Sequence, residues 1–113
     1  MGQQLFPKEN RLLSRPDFKR VMDLGRKRRV DKLCLLFFLP NDTGLKRLGI
    51  IASKKVGNAV ERNRAKRKIR EVFRLNMDRF KPGTDVVVVS GKPMVKTLYG
   101  EIEGRILSHL PRS

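Results

Sequence analysis

Histidine, cysteine and tyrosine each occur once in this chain, and tryptophan does not occur at all. One cysteine excludes an internal disulfide and any cysteine-based metal site. Cys34 lies among leucines in a strand-like run, where a thiol serves as a small hydrophobe and not as a nucleophile. His109 has no serine or cysteine partner that the pattern picks out, and it reads as a surface or helix-end residue. The eleven acids are scattered, mostly beside bases. No HExxH, DxD or paired-carboxylate spacing occurs, and the KKVGNAV turn, with one glycine, fits no Walker pattern. No apolar run approaches a membrane span, and the first residues lack a signal-peptide h-region, so a cytoplasmic protein is expected. With no recognisable protein active site, what remains is binding.

What the chain has is positive charge. Lysine and arginine number 27, the formal net charge is +16 and the pI is about 11.2. Such a charge opposes compaction and asks for a polyanion, nucleic acid first and an anionic membrane surface second. At 113 residues, positions 1–113 are expected to form a single domain with one core.

The charge is densest at 54–74, KKVGNAVERNRAKRKIREVFR, where nine cations stand against two acids. An apolar stripe runs through it at helical spacing, which a disordered basic tail lacks. Ala65, Ile69, Val72, Phe73, Asn76, Met77 and Phe80 share one face. Arg64, Arg67, Arg70 and Arg74 lie on the other, with Asn63 beside them. Asn58 is a candidate N-cap and Pro82-Gly83 the stop, giving a helix from Asn58 to Phe80 roughly 34 Å long. Arg62 and Lys66 fall on the apolar side, where two cations need a solvated cleft or an anion.

Around this helix the signals are simpler. Positions 1–13 read as an extended lead-in with Leu12 or Leu13 tucked onto the body. Ser14, Pro16 and Asp17 start a short helix with Phe18, Val21 and Met22 on its apolar face, ended by Gly25 as C′. The block Arg26 to Arg29 reads as a solvated loop. The run 33–39 (LCLLFFL) and the run 48–53 (LGIIAS), separated by Pro40-Asn41-Asp42-Thr43-Gly44, read as an antiparallel hairpin. Alternation places Leu33, Leu35 and Phe37 on one face of the first strand and Cys34, Leu36 and Phe38 on the other. Both faces are apolar, so both need cover. The stretch 85–90 (DVVVVS) is the clearest strand. Pro93 opens a last helix with Val95, Leu98, Tyr99, Ile102, Ile106 and Leu110 as its stripe. The order implies an α+β or α/β sandwich with a small sheet.

Three binding readings follow from the residues alone: an RNA-binding protein using the basic helix as a rigid comb, a DNA-binding helix, and a ribosomal-type structural protein. DNA readers of that kind usually bring a zipper or a helix-turn-helix pair, and neither is visible. Composition does not separate the first reading from the third.

The string Ser53-Lys54-Lys55-Val56-Gly57-Asn58-Ala59-Val60, followed by Arg62-Asn63-Arg64-Ala65-Lys66-Arg67-Lys68-Ile69-Arg70, closely resembles the RNR signature of the bacterial ribonuclease P protein subunit. The resemblance runs along nearly the whole chain, including Asn10-Arg11-Leu12, Asp17-Phe18, Gly25 and Gly91-Lys92-Pro93. It implies an α+β fold of the ribosomal protein domain 2 kind: a small four-stranded sheet, three helices and a left-handed βαβ crossover, where the general rule predicts a right-handed one.

It also implies a non-catalytic subunit of an RNA-based endoribonuclease. The catalyst is an RNA partner carrying Mg²⁺, the substrate is precursor tRNA and the product is its mature 5′ end; neither a membrane nor DNA is a partner. On the same resemblance Lys54, Lys55, Arg64, Arg67, Lys68 and Arg70 contact the catalytic RNA. Arg62, Asn63 and Lys66 meet the precursor's leader over an apolar cleft floor of Phe18, Met22, Cys34 and Leu36. The family tends to place more aromatics there. Met22 and Leu36 cannot stack on a base, an interaction worth ~1–3 kcal/mol, so the expected grip is electrostatic with weak base preference. For Phe18 and Met22 the competing reading is helix-on-sheet core.

Overall fold

The computed structural model describes residues 7–110. The part of the lead-in before Pro7 lies outside them. A 3-10 turn at Lys8–Asn10 is followed by Arg11, which bridges to Leu48, and by Leu12, which is buried; Leu13 is exposed. Helix α1, Arg15–Leu24, begins where the sequence places it: the Ser14 hydroxyl accepts from the Asp17 backbone N–H and Pro16 sits in the first turn. It ends at Gly25, although not through a left-handed cap. Gly25 is extended, and a side chain there would strike the carbonyls of Val21 and Phe38.

Four strands follow: β1 Arg26–Val30, β2 Cys34–Pro40, β3 Lys46–Ile51 and β4 Thr84–Ser90. The sheet order is β1-β2-β4-β3, with β2 antiparallel to both β1 and β4, and β3 parallel to β4. Two expectations are corrected here. The Arg26 to Arg29 block is not a loop but the outer strand, turned back onto β2 at Asp31, whose φ is +48°. Nor do 33–39 and 48–53 form a hairpin. β4 inserts between them, so the turn 41–45 joins strands that are not neighbours. β4 is β-branched and apolar on both faces, as a central strand must be.

Helix α2, Ala59–Leu75, crosses from β3 to its parallel neighbour β4. Its start is a full capping box: Asn58 accepts from the Glu61 N–H and Glu61 accepts from the Asn58 N–H, both at 2.9 Å. Gly57, at φ +152°, lets the Glu61 carboxylate lie against its Cα. The helix is about 25 Å long and stops five residues short of the expected Phe80. The Asn76 side chain donates to the Val72 carbonyl at 2.7 Å and to Glu103 at 2.8 Å, competing with the next helical turn. A 3-10 turn, Met77–Arg79, then folds Phe80 back so that its ring stacks on Phe73 at 3.9 Å. After β4 the chain makes another 3-10 turn, Lys92–Val95, and α3, Tyr99–Ser108. The expected last helix is thus two pieces, and Leu98, placed on its stripe, is an exposed N-cap.

The larger core lies between one sheet face and α2 with α3. It contains Cys34, Leu36, Leu48, Val86 and Val88 from the sheet, Ala65, Ile69, Val72 and Phe73 from α2, and Ile102 and Ile106 from α3. The opposite face carries α1 over Leu12, Phe37 and Val87, with Phe18, Met22, Leu35, Leu39, Ile51 and Val89 half-buried around them. The four-stranded mixed sheet and three helices make this an α+β fold. Among the described residues no helix is long and apolar enough to cross a membrane.

Candidate nucleic-acid interface

The sheet face under α1 is arranged in rows across β2, β4 and β3. Phe37, Val87 and Gly49 form one row, and the Phe18 ring lies directly on Gly49. Leu39, Asp85 and Arg47 form the next. There the fully buried Asp85 accepts from Arg47 twice, at 2.7 and 2.8 Å, from Asn41 at 2.7 Å and from Arg20 of α1 at 3.3 Å. These bonds fix α1 over that end of the sheet, and the Asp85 carboxylate raises the Arg47 pKa above its ordinary value.

The third row, Leu35, Val89 and Ile51, stays half-open. Phe18 and Met22 leave α1 on the side away from Arg20 and are half-buried against the same cluster as this row, with the Phe18 ring at the neighbouring Gly49. Arg29 stands opposite Leu35 at one end. Ile51 leads at the other into the exposed Lys54 and Lys55 and then into α2.

Two expected floor residues are therefore misplaced. Cys34 and Leu36 point to the α2–α3 core, 3% and 0% exposed. Their neighbour Leu35 takes the shelf, because side chains alternate and a shift of one residue exchanges the faces. Burial pushes the Cys34 thiol up to about 12. At pH 8, iodoacetamide is expected to alkylate native Cys34 roughly a hundredfold or more slowly than the urea-unfolded chain, because burial both covers the thiol and disfavours its thiolate. Comparable rates in the two states would put Cys34 back in an open cleft.

On α2 the cations divide as the helix geometry predicts, with one exception. Arg62 and Lys66 are half-buried toward the body, and the Arg62 guanidinium donates to the Gly57 carbonyl at 3.0 Å. Asn63, Arg64, Arg67 and Arg70 are exposed. Among the described residues none of these makes an ion pair, whereas Arg74 is held by Glu71 at 2.7 Å. The exception is Lys68. Its ammonium, which the resemblance expects on the catalytic RNA, donates to the carbonyls of Met94, Val95 and Thr97 at 3.2, 2.8 and 2.8 Å and ties α2 to the turn before α3. Burial, then the nearby Arg64, lowers its pKa. Arg70 shows the crowding of the comb, since burial, Arg11 and Arg67 in that order pull its pKa below the ordinary arginine value.

The sequence reading did not place Arg29, Leu35, Ile51 or Val89 at the site. One signal was available: an isolated glycine inside a strand run marks a close approach, and Gly49 is where Phe18 lands.

Fold and site together define a small mixed-sheet α+β domain that displays a capped cationic helix beside a half-covered apolar shelf. The family model described as Ribonuclease P matches residues 6–112. The "Ribonuclease P protein component" of Desulforapulum autotrophicum is 37% identical over 116 residues, covering 100% of this chain and 98% of that protein. That of Alkaliphilus oremlandii is 39% identical over 103 residues, covering 91% and 90%. Among solved structures, the RNase P protein of Thermotoga maritima superposes with a TM-score of 0.79 at 30% identity, over 88% of this chain and 94% of that one. The Staphylococcus aureus RNase P protein at 2.0 Å gives 0.75 at 29%, over 89% and 91%. The chain belongs to the ribonuclease P protein-component family.

Proposed function

We propose that this chain is the protein subunit of a ribonuclease P, binding both a catalytic RNA and the 5′ leader of precursor tRNA, and that it is not itself the catalyst. The observation that carries this reading is the row Arg64, Arg67 and Arg70, without an ion pair among the described residues, on a helix that opens with a full capping box. Cations held without acidic partners are suited to phosphates, and they release condensed counterions when they meet them. The names of the relatives supply the identity of the RNA machine. The shelf of Leu35, Ile51 and Val89, with Arg29 at one end and Lys54 and Lys55 following Ile51 at the other, suits a single-stranded leader, and the half-buried Arg62 and Lys66 are the α2 cations left for its phosphates. It offers apolar contact to unstacked bases with phosphate contacts alongside. Phe18 belongs to the core through its ring, seated on Gly49, and is only partly buried.

In this reading hydrolysis belongs to Mg²⁺ on the RNA partner. The protein's part is to hold two polyanions together, a task otherwise left to Mg²⁺ as a counterion. Adding the protein to a bacterial-type catalytic RNA at low Mg²⁺ is therefore expected to raise precursor-tRNA cleavage, with the benefit shrinking as Mg²⁺ is raised. No improvement at low Mg²⁺ would defeat the assignment. Cleavage by the protein with no RNA present would show that it is a catalyst after all.

A further inference from the structure

The sheet face that carries α2 and α3 is not fully covered. Beyond the end of α2, a groove of about 720 Å³ opens on it. Its floor is Phe38, Val86, Phe80 and Leu110, and Pro40 and Pro82 stand at its lip. Phe38 is half-buried, so part of its ring faces the opening. The rim is cationic: Arg26 and Arg28 from β1 on one side, Arg79 and Lys81 on the other, against the single acid Asp78. Lys46 lines the groove as well, with its ammonium bound to the Met77 carbonyl at 2.6 Å. Among the described residues Arg26, Arg28 and Lys81 make no ion pair.

Strand β1 connects this groove to the shelf on the opposite face. Its register places Arg26 and Arg28 across from Phe38 and Leu36, and Lys27 and Arg29 across from Phe37 and Leu35. Residues directly opposite share a face. The four-cation block therefore sends alternate charges to the two faces, and as the outer strand it carries a positive track around the edge of the sheet.

We infer that this groove is a second RNA subsite: it takes an unpaired nucleotide of a single strand that has passed around β1. The base rests on Phe38, Val86 and Phe80, and the phosphates lie on Arg28 and Lys81. The inference rests on the RNA-binding reading above. A cationic rim selects a polyanion. A recessed apolar floor selects an exposed base over a duplex, whose bases are stacked and whose recognition runs through its grooves and backbone. The volume lies within the ~300–1,000 Å³ typical of small-ligand pockets, ample for one unstacked base and its sugar.

The test is a titration of the full chain, ¹⁵N-labelled, with a short oligouridylate, alongside the variant Arg28→Glu/Lys81→Glu. Amides of two separate regions are expected to shift, Ile51 and Val89 at the shelf and Phe80, Thr84 and Val86 at the groove. In the double variant the groove set is expected to require roughly tenfold or more RNA to move, while the shelf set keeps its response. Movement of the shelf set alone, or undiminished groove binding by the double variant, overturns the subsite and leaves the proposed function standing. Groove shifts that depend on protein concentration and not on RNA, with a dimer in sedimentation, also overturn it. No shift anywhere would defeat both. A melting curve of the double variant matching the parent's confirms that its fold is intact.

Discussion

Asp85→Ala is expected to remove about 3–5 kcal/mol of folding stability, measured by urea denaturation of the isolated chain. A domain of this kind has about 5–15 kcal/mol in total, so the variant sits near the edge of folding. The cause is local. Asp85 is fully buried and is the acidic partner shared by Arg47, whose side chain is 20% exposed, and by Arg20 of α1. Without it the Arg47 guanidinium stays in a half-dry site with no counter-charge, and Asn41 loses an acceptor. The same argument predicts partial rescue. In Asp85→Leu/Arg47→Met the stranded charge is gone, and the loss is expected to shrink by more than half, because well-packed apolar replacements of buried ion pairs are often neutral or better. Arg20 is 42% exposed and can turn to solvent. A cost below about 1 kcal/mol for Asp85→Ala would show that the network does not anchor α1.

The second large effect concerns the two groups of cations on α2. Arg67→Gln/Arg70→Gln is expected to weaken assembly with the catalytic RNA by roughly ten- to a hundredfold, and to reduce the slope of log K against log salt by about two. Arg62→Gln/Lys66→Gln is expected to weaken binding of precursor tRNA more than of mature tRNA, with assembly much less affected. The exposed pair faces outward and the half-buried pair faces the body, so the two pairs are available to different RNAs. The measurement is filter binding or fluorescence anisotropy with the assembled ribonucleoprotein on both tRNAs. Equal losses for both variants on every RNA would leave a uniform polycation and no division of labour.

How legible these features were in the sequence depended on whether a residue pattern had one solution or two. For α1 the cap, proline and apolar spacing agree, and for α2 the Ala65, Ile69, Val72, Phe73 stripe admits a single face; α1 appears where expected, and α2 has the expected start and face but ends at Leu75. Position 58 as N-cap is right for the same reason. The run LCLLFFL is different. It is apolar at every position, so period-two alternation gives two faces without saying which meets α1 and which meets α2. Choosing Cys34 and Leu36 for the cleft was a choice of parity, and the parity is set by partners far along the chain, Val89 opposite Leu35 and Val88 opposite Leu36. The missed pairing of β2 with β4 has the same origin. Turn residues at 41–44 favour a local hairpin, but the parallel β3–β4 pair requires the whole of α2 to close, and no local window contains that information. For Lys68 the helical angle gives only a place at the side of α2, and the turn at 92–97 decides what it meets there.

The outer strand β1 has one more consequence. A sheet edge exposes unpaired backbone groups that a second copy of the same strand can extend. Here the exposed edge is Arg-Lys-Arg-Arg, and two such edges brought together would set like charges opposite one another at each position, which is destabilising. The other edge, β3, is already engaged by the bridge from Arg11 to Leu48. In the proposed function a chain carrying +16 must persist between its synthesis and its first encounter with RNA. The residues that give it a polyanion to seek also bar it from polymerising on itself in the meantime.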